Sequence, residues 1–302
     1  MFNSKYANAR PDGTFSEIPN LMVGFDTETT GLFMPPKHCE CPDHRGQNIE
    51  VRDCPRTAPG IIRLDTVFPT GEGARAIEAQ KDMSIHEPIS YGFKTYIKGK
   101  PAGEDTPDGT QNFLALPDSY ALKIMDADPQ KFAERTHGFS SRMLQSSYNG
   151  RYIPNGWAYD PATDRTSAMT RAVQRLAEAD RRGATFVGAN IGFDFGMLGH
   201  HFKKTTGMSM KDAGFDLDKA LDEGRVLDVI RHHQLMTGEE KRRPLSSSKI
   251  NSRKFKDTLC DLYGVREGDH SAAEDSRASI DVALRQIATN NGQFTPNPPR
   301  IG

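Results

Sequence analysis

Three acidic motifs in a fixed order constrain this chain more than any other feature. They are Phe25-Asp26-Thr27-Glu28-Thr29-Thr30-Gly31, Asn190-Ile191-Gly192-Phe193-Asp194 and His270-Ser271-Ala272-Ala273-Glu274-Asp275. The apolar run Leu21-Met22-Val23-Gly24-Phe25 reads as a buried strand, and the first motif sits at its end. Side chains alternate faces along a strand, so Asp26 and Glu28 point the same way and Thr27 points oppositely. Asn190 reads as the N-cap of a helix, which places Asp194 in its first turn. Ser271-x-x-Glu274 has the form of a capping box, which leaves His270 just outside a helix and puts Asp275 in the first turn. Both aspartates then stand at the same helical depth.

Around these motifs strands and helices interleave. Residues from Phe33 to about Glu87 are rich in Pro, Gly and charge, and Pro35, Pro36, Pro42, Pro55, Pro59 and Pro69 oppose any long regular element. This stretch reads as an insertion after the first strand. Ile89 to Ile97 reads as a second strand, ended by the turn Lys98-Gly99-Lys100. A loop-rich region with one helix follows. Helical spacing returns over Thr166 to Arg181, strand character over Thr185 to Ala189, and helical spacing again over Ile191 to Lys203. Val226 to Ile230 fits a strand or a helix start, and a last helix spans about Ala272 to Thr289. The pattern is that of a layered α/β or α+β fold. It divides into a polar N-terminal segment (1–20), one domain (21–289) and a Pro/Asn-rich mobile tail (290–302).

With 302 residues, 36% of them hydrophobic and 26% charged, the chain can bury one sizeable core. A net charge of -1 argues against wholesale coating of nucleic acid, so any basic surface must be local. No run approaches the roughly 18 to 20 apolar residues of a membrane span, and Met1 to Asn20 lacks the apolar core of a signal peptide. Four cysteines, three of them between Cys39 and Cys54, do not resemble a secreted disulfide framework. The expectation is a soluble, cytoplasmic protein with no membrane partner.

Four carboxylates and one histidine are the inventory needed to hold two divalent metals and activate a water beside them. Each motif alone has an ordinary explanation. An Asp-x-Glu triplet arises by chance about once in a chain of this length, acids in a first turn complement the helix dipole, and a histidine on a loop edge is usually a surface residue. In combination they point elsewhere. Four crowded carboxylates without cations would repel one another and raise their own pKa values, whereas two Mg²⁺ or Mn²⁺ ions balance the charge. His270, five residues before Asp275, could take a proton from the attacking water near neutral pH. The pattern leads to an expectation of metal-dependent phosphodiester hydrolysis.

At these residues the chain resembles the DEDDh exonucleases, the DnaQ-like group that includes the proofreading subunit of bacterial replicative polymerases. The resemblance runs from about Leu21 to Ala288. It implies that Asp26, Glu28, Asp194 and Asp275 bind two metals, that His270 is the general base, and that the fold is an RNase H-like mixed sheet flanked by helices. It also implies 3′-to-5′ trimming that releases nucleoside 5′-monophosphates from single-stranded or frayed DNA ends, with any proofreading left to a separate polymerase. RNA trimming by the same chemistry is the nearest alternative, and a catalytically idle nucleic-acid or partner-binding module is another. Thr136-His137-Gly138-Phe139 and Asp257-Thr258-Leu259-Cys260-Asp261-Leu262-Tyr263-Gly264 resemble further family segments, and Asp228 resembles an aspartate common between the second and third motifs, read as structural. Ala189-Asn190 departs from the family's usual His-Asn, and the long insertion departs from its short turn. Leu32 and His137 are the implied grip on the terminal nucleotide; the plainer readings are a core leucine and a loop hydrogen-bonder.

Two accessory features complete the reading. Cys39, Cys41, His44 and Cys54, with His38 beside them, offer ligands for a structural Zn²⁺ in the insertion, against the alternative of a loop with free thiols. Lys241 to Lys256 carries seven Lys or Arg residues and no acid, so Arg242, Arg243 and Lys254 are candidates to steer a nucleic-acid backbone, against the alternative of a solvated face.

Overall fold

The computed structural model describes residues 15–30, 86–103, 109–127, 132–150, 162–239, 243–246, 257–269 and 271–297. Its centre is a seven-stranded mixed sheet of β1 (Leu21–Thr29), β2 (Pro88–Ile97), β3 (Lys100–Pro101), β4 (Gln111–Leu116), β5 (Thr163–Asp164), β6 (Thr185–Gly188) and β7 (Val226–Asp228). The order across it is β5-β4-β2-β1-β6-β7, with β3 paired to β2. β1, β2 and β4 run antiparallel in turn, whereas β6 and β7 lie parallel to β1 and to each other. Parallel neighbours need crossovers, and helices supply them. In chain order these are α1 (Ser119–Ala127), α2 (Phe132–His137), α3 (Ser141–Tyr148), α4 (Arg165–Arg181), α5 (Ile191–Thr206), α6 (Leu217–Asp222), α7 (Val229–Thr237), α8 (Leu259–Tyr263) and α9 (Ala272–Asn290).

Central strand β1 serves a core on each face, which is why its first half is an unbroken apolar run. Val23 and Phe25 join Phe93, Phe186, Phe195 and Phe215 in one core, with Phe25 stacked on Phe93 and Phe195 at 5.0 and 5.4 Å between ring centroids. Met22 joins Val187, Leu227, Tyr263 and Ile280 in the other. Helix α9 lies on that second face at two glycines. A Cβ on Gly24 would stand 2.7 Å from the carbonyl oxygen of Ser276, and one on Gly92 would stand 2.0 Å from the carbonyl carbon of Ala272. Backbone therefore packs on backbone, and the Ser276 hydroxyl donates to the Gly92 carbonyl at 3.1 Å.

Most expected elements lie close to where the periodicity puts them. Positive φ at Lys98 (50°) and Gly99 (74°) closes the β2–β3 turn. The ambiguous stretch from Val226 is both things: a strand to Asp228, then a helix whose N-cap is Asp228 itself. The loop-rich region holds more order than the single helix expected there, because β4 and three short helices build a third core around Ile89, Leu114, Leu122, Phe139 and Leu144. Thr29 and Pro88 are register partners, so β1 and β2 pair as antiparallel neighbours along their full lengths. Thr30 N–H donates to the Glu87 carbonyl at 3.0 Å, and the Thr30 hydroxyl meets His86 Nδ1 at 3.2 Å. His86 and Glu87 thus belong with the β1–β2 pair rather than with the insertion.

The ends are docked where described. Phe15 N–H donates to His232 Nε2 at 3.0 Å. Residues 291–297, expected as the start of a mobile tail, pack back on α8 and α9: Asn297 N–H donates to the Leu262 carbonyl at 2.7 Å and the Phe294 ring lies 4.8 Å below the Arg285 guanidinium. Among the described residues no helix is long and apolar enough to cross a membrane.

Candidate metal centre

The acidic motifs converge at the carboxyl end of β1. Asp26 and Glu28 leave the strand on the face covered by α9, and that helix, seated on Gly24 and Gly92, brings Asp275 to them. One carboxylate oxygen from each of Asp26, Glu28 and Asp275 lies within 4.8 Å of the others, a grouping that could hold a metal ion. Asp275 is the fourth residue of α9 and Asp194 the fourth of α5, so the two share the depth that the spacing predicts. Only half of the capping box forms. Ser271 Oγ accepts from Glu274 N–H at 3.4 Å, but the Glu274 carboxylate turns to Arg277 at 2.8 Å instead of returning to the cap. Asn190 is not a side-chain cap either. It turns the chain in the left-handed region (φ 62°), and its N–H donates to Asp228 at 3.2 Å. The Asp228 carboxylate also accepts from Ile230 and Arg231 N–H at 3.0 and 3.3 Å, so it ties the starts of α5 and α7 together.

Asp194 reaches the site from the other side. Pairing between β1 and β6 ends at Gly24–Val187, so among the described residues the β1 backbone beyond it has no strand partner on that side. Asp194 fills the gap: its Oδ1 accepts from Thr27 N–H at 3.0 Å and from Thr27 Oγ1 at 2.7 Å. The alternation that sends Asp26 and Glu28 toward α9 sends Thr27 toward Asp194. Asp194 is 3% exposed and stands outside the three-carboxylate group.

The electrostatics of this corner are unbalanced. Burial first, then the charges of Asp194, Glu28 and Asp275, holds Asp26 well above the ordinary carboxylate range. Burial and then Asp275, Asp194 and Asp269 do the same to Glu28. Burial pushes Asp194 up to about 7 against the opposing pull of the hydrogen bonds from Thr27. Burial and crowding of this kind favour the protonated carboxyl unless a cation displaces the proton, and an all-oxygen donor set suits a hard divalent ion such as Mg²⁺ or Mn²⁺. The residues present therefore fit such a group.

Several contributors escape a reading by motif. Gly24 and Gly92 seat α9, and a Cβ on Gly268 would lie 1.8 Å from Asp275 Oδ1, so the approach to α9 runs hard against that carboxylate. A glycine inside a strand pattern is the signal that marks the first two. Thr27 carried no signal beyond its place between two acids.

The remaining candidates divide as follows. His270, Leu32, Cys39, Cys41, His44, Cys54, Arg242 and Lys254 lie outside the described residues. His137 is buried; its Nδ1 accepts from Phe139 N–H at 3.4 Å, so Nε2 carries the proton and donates to the Thr29 carbonyl at 2.9 Å. It anchors the end of β1 to the loop after α2. Arg243 is held within the fold. Its guanidinium makes two bonds to Glu239, at 2.8 and 3.0 Å, and one to the Asp257 carbonyl at 3.1 Å, with 14% of the side chain exposed. It braces the segment between Glu239 and Asp257. Compared with known proteins, the chain matches no family model and no curated protein.

Proposed function

We propose that this protein is a metal-dependent 3′-to-5′ exonuclease that hydrolyses the terminal phosphodiester of single-stranded or frayed DNA and releases nucleoside 5′-monophosphates. One observation carries the proposal: four carboxylates from three distant segments converge on the end of the central strand, where their mutual repulsion has no function without cations. The sheet order supports it, since three antiparallel strands continued by two parallel ones are the arrangement of an RNase H-like domain. Asp26, Glu28 and Asp275 would hold one ion, and Asp194 would join Asp26 at a second. Two Mg²⁺ or Mn²⁺ ions, when bound, supply Lewis acidity at the scissile phosphate. His270, next in sequence to the N-cap Ser271, takes the proton of the attacking water, the bond from phosphorus to the 3′ oxygen breaks, and that oxygen leaves with a proton from solvent.

Degradation of 5′-labelled single-stranded DNA and RNA of one sequence, in Mg²⁺ or EDTA, with wild type beside Asp26→Ala, tests this. A Mg²⁺-dependent ladder shortening from the 3′ end, lost in the variant, is expected, with DNA cut faster than RNA. Intact substrates in every lane would refute the proposal and favour a binding module. A structural Zn²⁺ on Cys39, Cys41, His44 and Cys54 is a separate proposal, checked by zinc content with and without Cys41→Ser.

A further inference from the structure

We infer that Thr27, the residue between the two acids of the first motif, is a positioning residue that sets which oxygen of Asp194 meets a cation. The inference rests on the reading of this corner as a metal centre. Both donors of Thr27 land on one atom: N–H at 3.0 Å and Oγ1 at 2.7 Å, each to Asp194 Oδ1. A carboxylate oxygen has two lone pairs, and two donors occupy them, so Oδ2 is left to face a cation. The same clamp explains why Asp194 stands outside the group formed by Asp26, Glu28 and Asp275. Thr27 is well placed for the task. It is buried, it shares a strand with Asp26 and Glu28, and its register partner Tyr91 is wholly buried, so β1 cannot shift without moving both acids and the clamp together. The backbone donor is available to any residue at this position, but the hydroxyl is not. A hydroxyl here turns a single hydrogen bond, about which the carboxylate could rotate, into a two-point hold.

Mn²⁺ binding to the full-length protein, read by electron paramagnetic resonance of the free ion, tests this without reference to turnover. Five proteins are compared: wild type, Thr27→Val, Thr27→Ser, Asp194→Ala and the double variant that carries both Thr27→Val and Asp194→Ala. Loss of one hydrogen bond to a charged group corresponds to roughly tenfold in affinity. Thr27→Val is therefore expected to weaken the looser of two Mn²⁺ ions about tenfold, Thr27→Ser to match wild type, and Thr27→Val to add nothing once Asp194 is gone. Rescue by serine and loss of effect in the double variant are results that a merely structural role for Thr27 would not give. Wild-type affinity in Thr27→Val, or equal weakening by valine and serine, would overturn the inference and leave the metal centre standing. No Mn²⁺ bound to wild type would overturn the metal centre itself and the inference with it.

Discussion

Two partly buried polar regions of this molecule treat charge in opposite ways. In the cluster joining α7 to α8, His233 Nε2 meets Glu239 at 2.9 Å, His233 Nδ1 meets the Tyr263 hydroxyl at 3.0 Å, and Arg243 grips the same glutamate with two bonds. Burial pulls Glu239 upward, but the bonds from Arg243 and His233 outweigh it and leave the carboxyl below its usual range. At the end of β1 the neighbours of Asp26 and Glu28 are other acids, so burial and neighbours push the same way. Opposite neighbours thus yield a braced ion pair in one place and a set of frustrated acids in the other. Arrangements of the second kind cluster at functional sites.

The comparison breaks most visibly at Asp26. Asp26→Ala removes an acid that repels its neighbours, so in EDTA its urea midpoint should equal or exceed that of wild type, while hydrolysis falls roughly a thousandfold or more. Equal turnover, or a marked loss of stability, would show that Asp26 is part of a brace after all. The paired region predicts the inverse. Arg243→Ala strands a partly buried glutamate and should cost about 3 kcal/mol in urea unfolding, with substrate KM unchanged. A raised KM at wild-type stability would restore Arg243 to the nucleic-acid surface.

The two regions also differ in how much of them the sequence discloses. The acids are legible because each motif sits where an element begins or ends, and because strand alternation and helix depth follow from spacing alone. Long, strongly periodic elements such as α4 and α9 are legible for the same reason. Strand β4 is not. Gln-Asn-Phe-Leu-Ala-Leu packs Phe113 and Ala115 into one core and Leu114 into another, which erases the alternation that marks a half-buried strand. Nor can spacing show that Glu274 prefers Arg277 to its cap, or that Arg243 spends its charge on Glu239. Those outcomes depend on which partners the tertiary fold brings within reach.

A pH titration of stability sharpens the contrast. Asp26, Glu28 and Asp194 have folded pKa values raised above their unfolded ones, the last to about 7. The unfolded chain then holds fewer protons than the folded one between about pH 4 and those raised values, and stability falls as pH rises through that window. In EDTA the melting temperature should therefore climb by a few degrees from pH 8 to pH 6. Saturating Mg²⁺ should flatten the slope, because it stabilises the ionised acids, and Asp194→Asn in EDTA should flatten part of it. A melting temperature that rises with pH over this range would mean the acids are compensated within the protein.

The smallest effect separates position from charge. Gly268→Ala changes no charge, yet its Cβ would fall 1.8 Å from Asp275 Oδ1, and the atom in the way is the end of a side chain that can rotate. The backbone has little to yield, so the urea midpoint should hardly move. The Asp275 carboxylate must swing away from Asp26 and Glu28, and Mn²⁺ affinity should fall about fivefold, the equivalent of roughly 1 kcal/mol. If affinity and stability fall together, Gly268 serves the turn before α9 and the carboxylate merely rests on it. If affinity alone falls, the cluster at the end of β1 needs its acids at set places and not simply nearby, which is the property that distinguishes a coordination site from a patch of negative charge.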